Sequence, residues 1–187
     1  MRIATLAMGI VMLAVTGATA QVTNDPELVG QLEKLFPAAA SFSAKTGSPG
    51  VYKAFGPVAA GQQEGELLGL AYWTTEFEPL ERGFDGPIKM LVGMNTAGEL
   101  TGVIVTDHRE PYGYFSVDLP EWPNQFKGKS IRDSFKVGAD VDAITRATIS
   151  VTSASRAIRN ASRKVARAHL APPAPPATAG SGAAPGQ

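Results

Sequence analysis

Two runs of alternating hydrophobicity, joined by four residues, constrain this chain more than any other feature. Ile88, Met90, Val92 and Met94 alternate with Lys89, Leu91 and Gly93. After Asn95-Thr96-Ala97-Gly98, the residues Thr101, Val103 and Val105 alternate with Leu100, Gly102, Ile104 and Thr106. A period of two sends successive side chains to opposite faces of a strand. Gly98 is free to take the left-handed backbone that a tight turn demands. The pattern predicts a β-hairpin with a short loop, and so an antiparallel sheet.

Other segments build around it. Asn24 or Asp25 can cap a helix that has Pro26 and Glu27 in its first turn, a Leu28, Leu32, Leu35 stripe, and Pro37 as its stop. Residues 38–50 read as loop, Val51–Phe55 as a short strand, and 59–65 as a Gly- and Gln-rich turn region. Leu67–Thr75 is nearly all apolar and predicts a strand buried on both faces. Residues 107–126 hold three Pro, two Tyr, two Phe and one Trp without a sustained period, and read as an ordered aromatic loop. Thr152–Leu170 is amphipathic. Ala154, Ala157, Ile158, Ala161, Val165 and Ala168 share one face, and Arg156, Arg159, Arg163 and Arg167 the other; Ser150, Thr152 and Ser153 are available as N-caps. The expected fold is α+β, an antiparallel sheet with a central hairpin, flanked by an N-terminal and a long C-terminal helix.

The two ends read as separate units. Arg2, the apolar run Ile3–Val15 and Ala18-Thr19-Ala20 have the order of an export signal cleaved after Ala20, which predicts a periplasmic protein. The run is too short to span a bilayer. Residues 171–187 contain six Ala, five Pro and three Gly and no charge, a composition that reads as a disordered tail. One domain, residues 21–170, remains.

With no cysteine and only His108 and His169, the chain has no disulfide, no thiolate metal site and no multi-histidine site. Equal numbers of basic and acidic residues, 17 each, argue against a nucleic-acid partner. The balance is uneven along the chain: Asp142–Leu170 carries six basic residues and one acidic.

The chemistry concentrates just before the C-terminal helix, in Asp142-Ala143-Ile144-Thr145-Arg146-Ala147-Thr148 and the following Ser150 and Thr152. Hydroxyls crowd a helix entrance where backbone N–H groups lack partners and the dipole favours an anion. They either cap the helix or hold a phosphate, with Arg146 as a charged contact.

This segment resembles the flavinylation signal of FMN-binding domains that carry covalent flavin. Such domains occur in sodium-pumping quinone reductase and Rnf complexes and in NosR/NirI-type regulators of denitrification. The signal runs Asp; Gly or Ala; any residue; Ser or Thr; Gly; Ala; Thr. Asp142, Ala143, Thr145, Ala147 and Thr148 match it, and Arg146 replaces Gly, which points to the regulator-like branch. The stretch Gly86–Gly93 is similar to the family's first hairpin strand and Gly98–Val105 to its partner. His108-Arg109-Glu110-Pro111-Tyr112 stands where many relatives have Glu-Thr-Pro-Gly. Thr16-Gly17-Ala18-Thr19 also looks like part of the signal, but it has no Asp three residues upstream of Thr16 and lies in the export segment.

The resemblance implies FMN joined through its phosphate to Thr148 by a flavin transferase. Asp142 would serve recognition by that transferase, and Thr145, Ala147, Arg146 and Ser150 would surround the phosphate. A flavin ring needs an apolar wall, for which Tyr112 and Tyr114 are the first candidates, with Phe115, Trp122 and Trp73 behind them. Gly113 would let the backbone approach the ring. His108 reads as an exposed loop histidine, and Glu76, Glu78, Glu81 and Asp85 as a solvated acidic loop. The implied function is an extracytoplasmic electron carrier, exchanging electrons with a membrane or periplasmic redox protein and tied to nitrogen-oxide respiration. The alternative is a sensory module with non-covalent flavin or none.

Overall fold

The computed structural model describes residues 25–170. The expected export signal at 1–20, Asn24 and the tail at 171–187 lie outside the described residues. Helix α1 spans Pro26–Leu35, and the Asp25 carboxylate accepts the N–H groups of Glu27 and Leu28 as its N-cap. Six strands follow: β1 (Ser41–Phe42), β2 (Thr46–Gly47), β3 (Gly50–Phe55), β4 (Leu67–Trp73), β5 (Lys89–Asn95) and β6 (Leu100–Asp107). A short helix α2 (Thr74–Phe77) leaves β4, α3 (Glu121–Asn124) lies beyond β6, and α4 runs over Thr148–His169. The sheet is antiparallel with order β1-β3-β4-β5-β6, and β2 pairs with the same edge of β3 as β1.

The period-two reading of the hairpin fixes which side chains face which helix. Met90, Val92 and Met94 of β5 join Leu70 and Tyr72 of β4 in the core beneath α4. Leu91 and Ala71 face the other way, against Leu32 and Leu35 of α1 and Phe36 just after it. Helices thus cover both faces, which accounts for the continuous apolar run of β4. At the loop, Gly98 has φ +82°, and the Asn95 side chain accepts the N–H groups of Ala97 and Glu99. The segment 128–131 covers part of the β6 edge, with the Leu100 N–H donating to Lys129 O at 2.8 Å.

On the α1 side the sheet is bare in one lane. Ala71 pairs with Gly93, and Gly93 with Gly102. Leu35 lies directly on these glycines, since a Cβ built on Gly93 would stand 3.0 Å from the Leu35 Cβ. On the α4 side the buried Tyr72 hydroxyl donates to Ser162 Oγ at 2.7 Å. Burial pushes this phenol well above its ordinary pKa, and the bond opposes the shift only in part.

Three expectations about the elements need correction. Residues 38–50 are not all loop; they contain β1 and β2, pairings of two residues that are too short to show a period. The strand expected to reach Thr75 ends at Trp73, where Thr74 enters α2. Helix α4 begins at Thr148, four residues before the expected Thr152, because Ser150 and Ser153 turn inward to bond Glu110 and Glu81 and do not cap. On the arginine face of α4, Arg163 donates to Ile131 O and Asp133 O, and Arg159 to Ser134 O.

The acidic stretch after β4 is likewise not a free loop. Glu76 pairs with Lys45, Glu78 with Lys164 at 2.8 Å, and Glu81 accepts Arg156 Nε at 2.7 Å and Ser153 Oγ at 2.9 Å. The Arg156 guanidinium holds the Glu81 carboxyl below its usual value of 4.5, outweighing partial burial, which acts the other way. A folded-state pKa below the unfolded one stabilises the protein above pH 4.5, and that stability is lost as pH falls through the lower folded value. Urea midpoints measured from pH 6 down to pH 3 should therefore fall less steeply for Glu81→Gln than for the wild type. Parallel curves would show that the pair contributes nothing to acid sensitivity.

Candidate functional site

The approach to α4 is a sequence of fixed turns. Asp140 accepts the N–H of Phe135 at 2.8 Å and the Ser134 hydroxyl at 2.9 Å, closing the first of them. The Asp142 N–H donates to Gln125 Oε1 at 2.7 Å, while its side chain faces solvent. A tight turn then runs from Ile144 to Ala147, whose N–H donates to Ile144 O at 3.1 Å. Its third residue is Arg146, with φ +70°. A turn with positive φ only at its third position is the kind that favours glycine there. The glycine of the resembled signal thus has a conformational reason, and Arg146 meets the same demand at a cost of about 1–2 kcal/mol. Arg146→Gly should raise the Tm of the flavin-free protein by about 1–3 °C in scanning calorimetry. An unchanged or lower Tm would show that contacts of the guanidinium compensate.

Helix α4 starts without a side-chain cap. Its cap position is Ala147, which is buried, and the first helical bond runs from Val151 N to Ala147 O at 2.9 Å. Among the described residues, the N–H groups of Thr148, Ile149 and Ser150 have no protein acceptor. Thr148 is exposed, and its hydroxyl makes one long bond of 3.5 Å to Ile144 O. Thr145 is also exposed and Ala147 buried, whereas Ser150 is 4% exposed and donates to Glu110.

Above this helix end lies a cleft of about 260 Å³ lined by Phe84, Pro111, Tyr112, Arg146, Thr148, Ile149 and Ser150. Three expected residues, Arg146, Thr148 and Ser150, meet Tyr112 there. Tyr114 does not line the cleft; it packs edge-on against Phe115, with ring centroids 4.8 Å apart. Trp122 sits in the core against Phe126, and Trp73 packs with the α1-side cluster beneath Lys89. Phe84 and Ile149 were missed. Both are large apolar side chains left mostly exposed, 67% and 59%, which marks a wall that the described residues leave uncovered. The one sequence signal for Phe84 is its place as a lone aromatic within Gly83-Phe84-Asp85-Gly86.

Beneath the wall runs a hydrogen-bond chain. Glu110, 7% exposed, accepts the N–H groups of Phe84 at 3.0 Å and Asp85 at 3.1 Å as well as the Ser150 hydroxyl. Its own N–H donates to His108 Nδ1 at 3.0 Å, which places the ring proton on Nε2, 2.7 Å from Asp118 Oδ1. His108 is thus not an exposed loop histidine; its side chain is 13% exposed and held at both nitrogens. Gly113 faces this ring, where a Cβ would stand 2.1 Å from His108 Cε1; its small size makes room for His108.

The donor set suits a phosphate carrying an aromatic group. Free helix N–H groups, a cationic side chain and an exposed hydroxyl gather on the floor, and aromatic and aliphatic surface forms the wall. The cleft is slightly smaller than the ~300 Å³ at which ligand pockets usually begin. It would enclose only part of a mononucleotide of this kind and leave the remainder against the exposed rim.

Residues 83–163 match the family described as FMN-binding domain. Over 88 residues the chain is 33% identical to a protein of Vibrio vulnificus (strain YJ016), a component of its ion-translocating oxidoreductase complex, and the match covers 42% of each chain. It is 36% identical over 89 residues to the like-named component in Shewanella baltica (strain OS223), again covering 42% of each. With that of Escherichia coli (strain K12) it shares 33% identity over 89 residues, 42% of this chain and 43% of the relative. The chain therefore spans about two fifths of the length of the relatives it matches. The matched segment contains the hairpin, the cleft and the start of α4; in it the chain is similar to the FMN-binding domain family, and that similarity indicates FMN as the cofactor.

Proposed function

We propose that this protein is an extracytoplasmic electron carrier whose FMN is esterified through its phosphate to Thr148 Oγ1. The observation that carries the reading is the placement of Thr148: an exposed hydroxyl on the first residue of α4, beside Arg146 and three N–H groups that have no acceptor among the described residues, on the floor of an apolar cleft. When bound, FMN supplies the redox chemistry. The chain's residues do the rest. The helix end and Arg146 offset phosphate charge, and Thr148 Oγ1 provides the point of attachment. Phe84, Tyr112 and Ile149 offer apolar surface to the ring.

A covalent link keeps a cofactor in place outside the cytoplasm, where its loss is not made good. That setting is supported by the export-type order of Arg2, Ile3–Val15 and Ala18-Thr19-Ala20. A flavin transferase is the partner that attachment requires. Similarity to components of an ion-translocating oxidoreductase complex supports a membrane redox protein as the electron partner. The Glu110-Pro111-Tyr112 segment, closer to the denitrification regulators than to Glu-Thr-Pro-Gly, supports a place in nitrogen-oxide respiration.

The test is the mass of protein produced together with a flavin transferase. The expected product is yellow and heavier by one FMN less one water, with the increment on the peptide containing Thr148. A colourless protein with an unmodified Thr148 peptide overturns the reading. Arg146 favours one second reading, a sensory module with non-covalent FMN, because it stands where the signal has glycine. Tight binding of free FMN by protein made without the transferase, unaffected by Thr148→Ala, would select it.

A further inference from the structure

We propose that Glu110 is the positioning residue of this cleft, holding its aromatic wall in register with the end of α4. The proposal rests on the FMN reading above. One carboxylate joins three separate segments. Its two oxygens accept the amides of Phe84 and Asp85 from the 83–86 turn, and Oε2 also accepts the Ser150 hydroxyl from the first turn of α4. The third segment is its own, which continues directly into Pro111 and Tyr112. Cleft-lining residues therefore come from all three arms: Phe84, Pro111 with Tyr112, and Thr148 with Ile149.

The 83–86 turn is shaped for this carboxylate. The Gly83 N–H donates to Gly86 O at 2.7 Å, and Gly86 has φ +134°. A Cβ on Gly83 would stand 2.4 Å from Glu110 Oε1, so only glycine admits the carboxylate this closely. With the Phe84 and Asp85 amides turned onto Glu110, the Phe84 ring is left on the cleft surface. Among the described residues no Lys, Arg or His forms an ion pair with Glu110. Amides and a hydroxyl alone satisfy this buried group, so removing one acceptor oxygen leaves a donor facing a donor. The bond from the Glu110 N–H to His108, itself held by Asp118, anchors the backbone from which the carboxylate projects.

Glu81 provides a matched control. It too ties a loop to α4, through Ser153 and Arg156, but it does not line the cleft. Wild type, Glu110→Gln and Glu81→Gln should each be produced as full chains with a flavin transferase. Visible circular dichroism and flavin emission, both normalised to bound flavin, are then compared. In Glu110→Gln the emission should rise about twofold and the dichroism fall by about half, because the ring no longer rests on a fixed wall. Glu81→Gln should keep wild-type values of both, even where its Tm drops as far. Wild-type spectra in Glu110→Gln, or equal changes in the two variants, would overturn the proposal. If Glu110→Gln does not accumulate, Ser150→Ala takes its place, with smaller shifts in the same direction expected and no shift counting against the proposal. In flavin-free protein, hydrogen exchange at the Phe84 and Asp85 amides should rise about tenfold in Glu110→Gln. Unchanged exchange overturns the clamp whatever the flavin shows. A wild type that takes up no FMN overturns the reading beneath it, while the exchange result still stands.

Discussion

Thr148→Ala, produced beside a flavin transferase, is expected to be folded, soluble and free of covalent flavin. The loss should be complete, because attachment needs a hydroxyl at one position and no neighbour substitutes for it. Ser150 is buried and donates to Glu110, and Ser153 donates to Glu81. Thr145 is exposed but lies within the turn before α4, so it is not on the helix end with the N–H groups of Thr148, Ile149 and Ser150. The fold should hardly notice the change. The lost bond is 3.5 Å long and exposed, and alanine is the better helix former by about half a kcal/mol. Intact mass and a Tm within about 2 °C of the wild type, both measured on Thr148→Ala, check the two halves. Thr148→Ser should keep the attachment. Covalent flavin on Thr148→Ala would place the acceptor elsewhere.

Gly69→Ala should be severely damaging, because its methyl has nowhere to go inside the sheet. Gly69 lies in β4 opposite Asn95, on the α1 face. A Cβ there would stand 2.3 Å from Met94 O, 2.6 Å from Phe36 Cε1 and 3.0 Å from Asn95 Cα. Two of these atoms belong to the backbone of β5, so relief requires β4 and β5 to part or α1 to lift. Either cuts into the core, and the expected cost is about 3 kcal/mol or failure to accumulate. Gly30, within α1, has nothing within 4 Å of a built Cβ, and Gly30→Ala should stabilise by about 0.5–1 kcal/mol. Urea midpoints of the two variants moving in opposite directions would bear this out. A Gly69→Ala midpoint near that of the wild type would show that the sheet yields more easily than its packing suggests.

These contrasts show where sequence patterns carry information. The hairpin was legible because its α1 face holds Lys89 and the paired Gly93 and Gly102 while its α4 face holds Met90, Val92, Met94 and Val103, so the period of two survived in the residue types. Helix α1 was legible because its cap, stripe and stop are local. The start of α4 was not: serines have the same appearance whether they cap a helix or reach Glu110 and Glu81, which stand 40 and 72 residues away. The site divides in the same way. Thr148, Arg146 and Ser150 belong to a contiguous signal and could be found. Phe84 could not, because its exposure depends on a turn wrapped around Glu110, and nothing in Gly83-Phe84-Asp85-Gly86 reveals that carboxylate. Among the aromatic residues, composition identified a pool without saying which ring faces out. Tyr112 reached the cleft while Trp122 filled the core.

The alanine at the start of α4 has an energetic consequence. Helix α1 is completed by its own Asp25, but α4 carries no residue able to do the same. An N-cap is worth about 0.5–2 kcal/mol, and an anion seated at Thr148 would supply it from outside the gene. The attached phosphate would cap the helix only in the folded state, so the loaded form should melt at the higher temperature. The cofactor would be the last piece of the helix, and the melting temperature a measure of how much of the protein has received it.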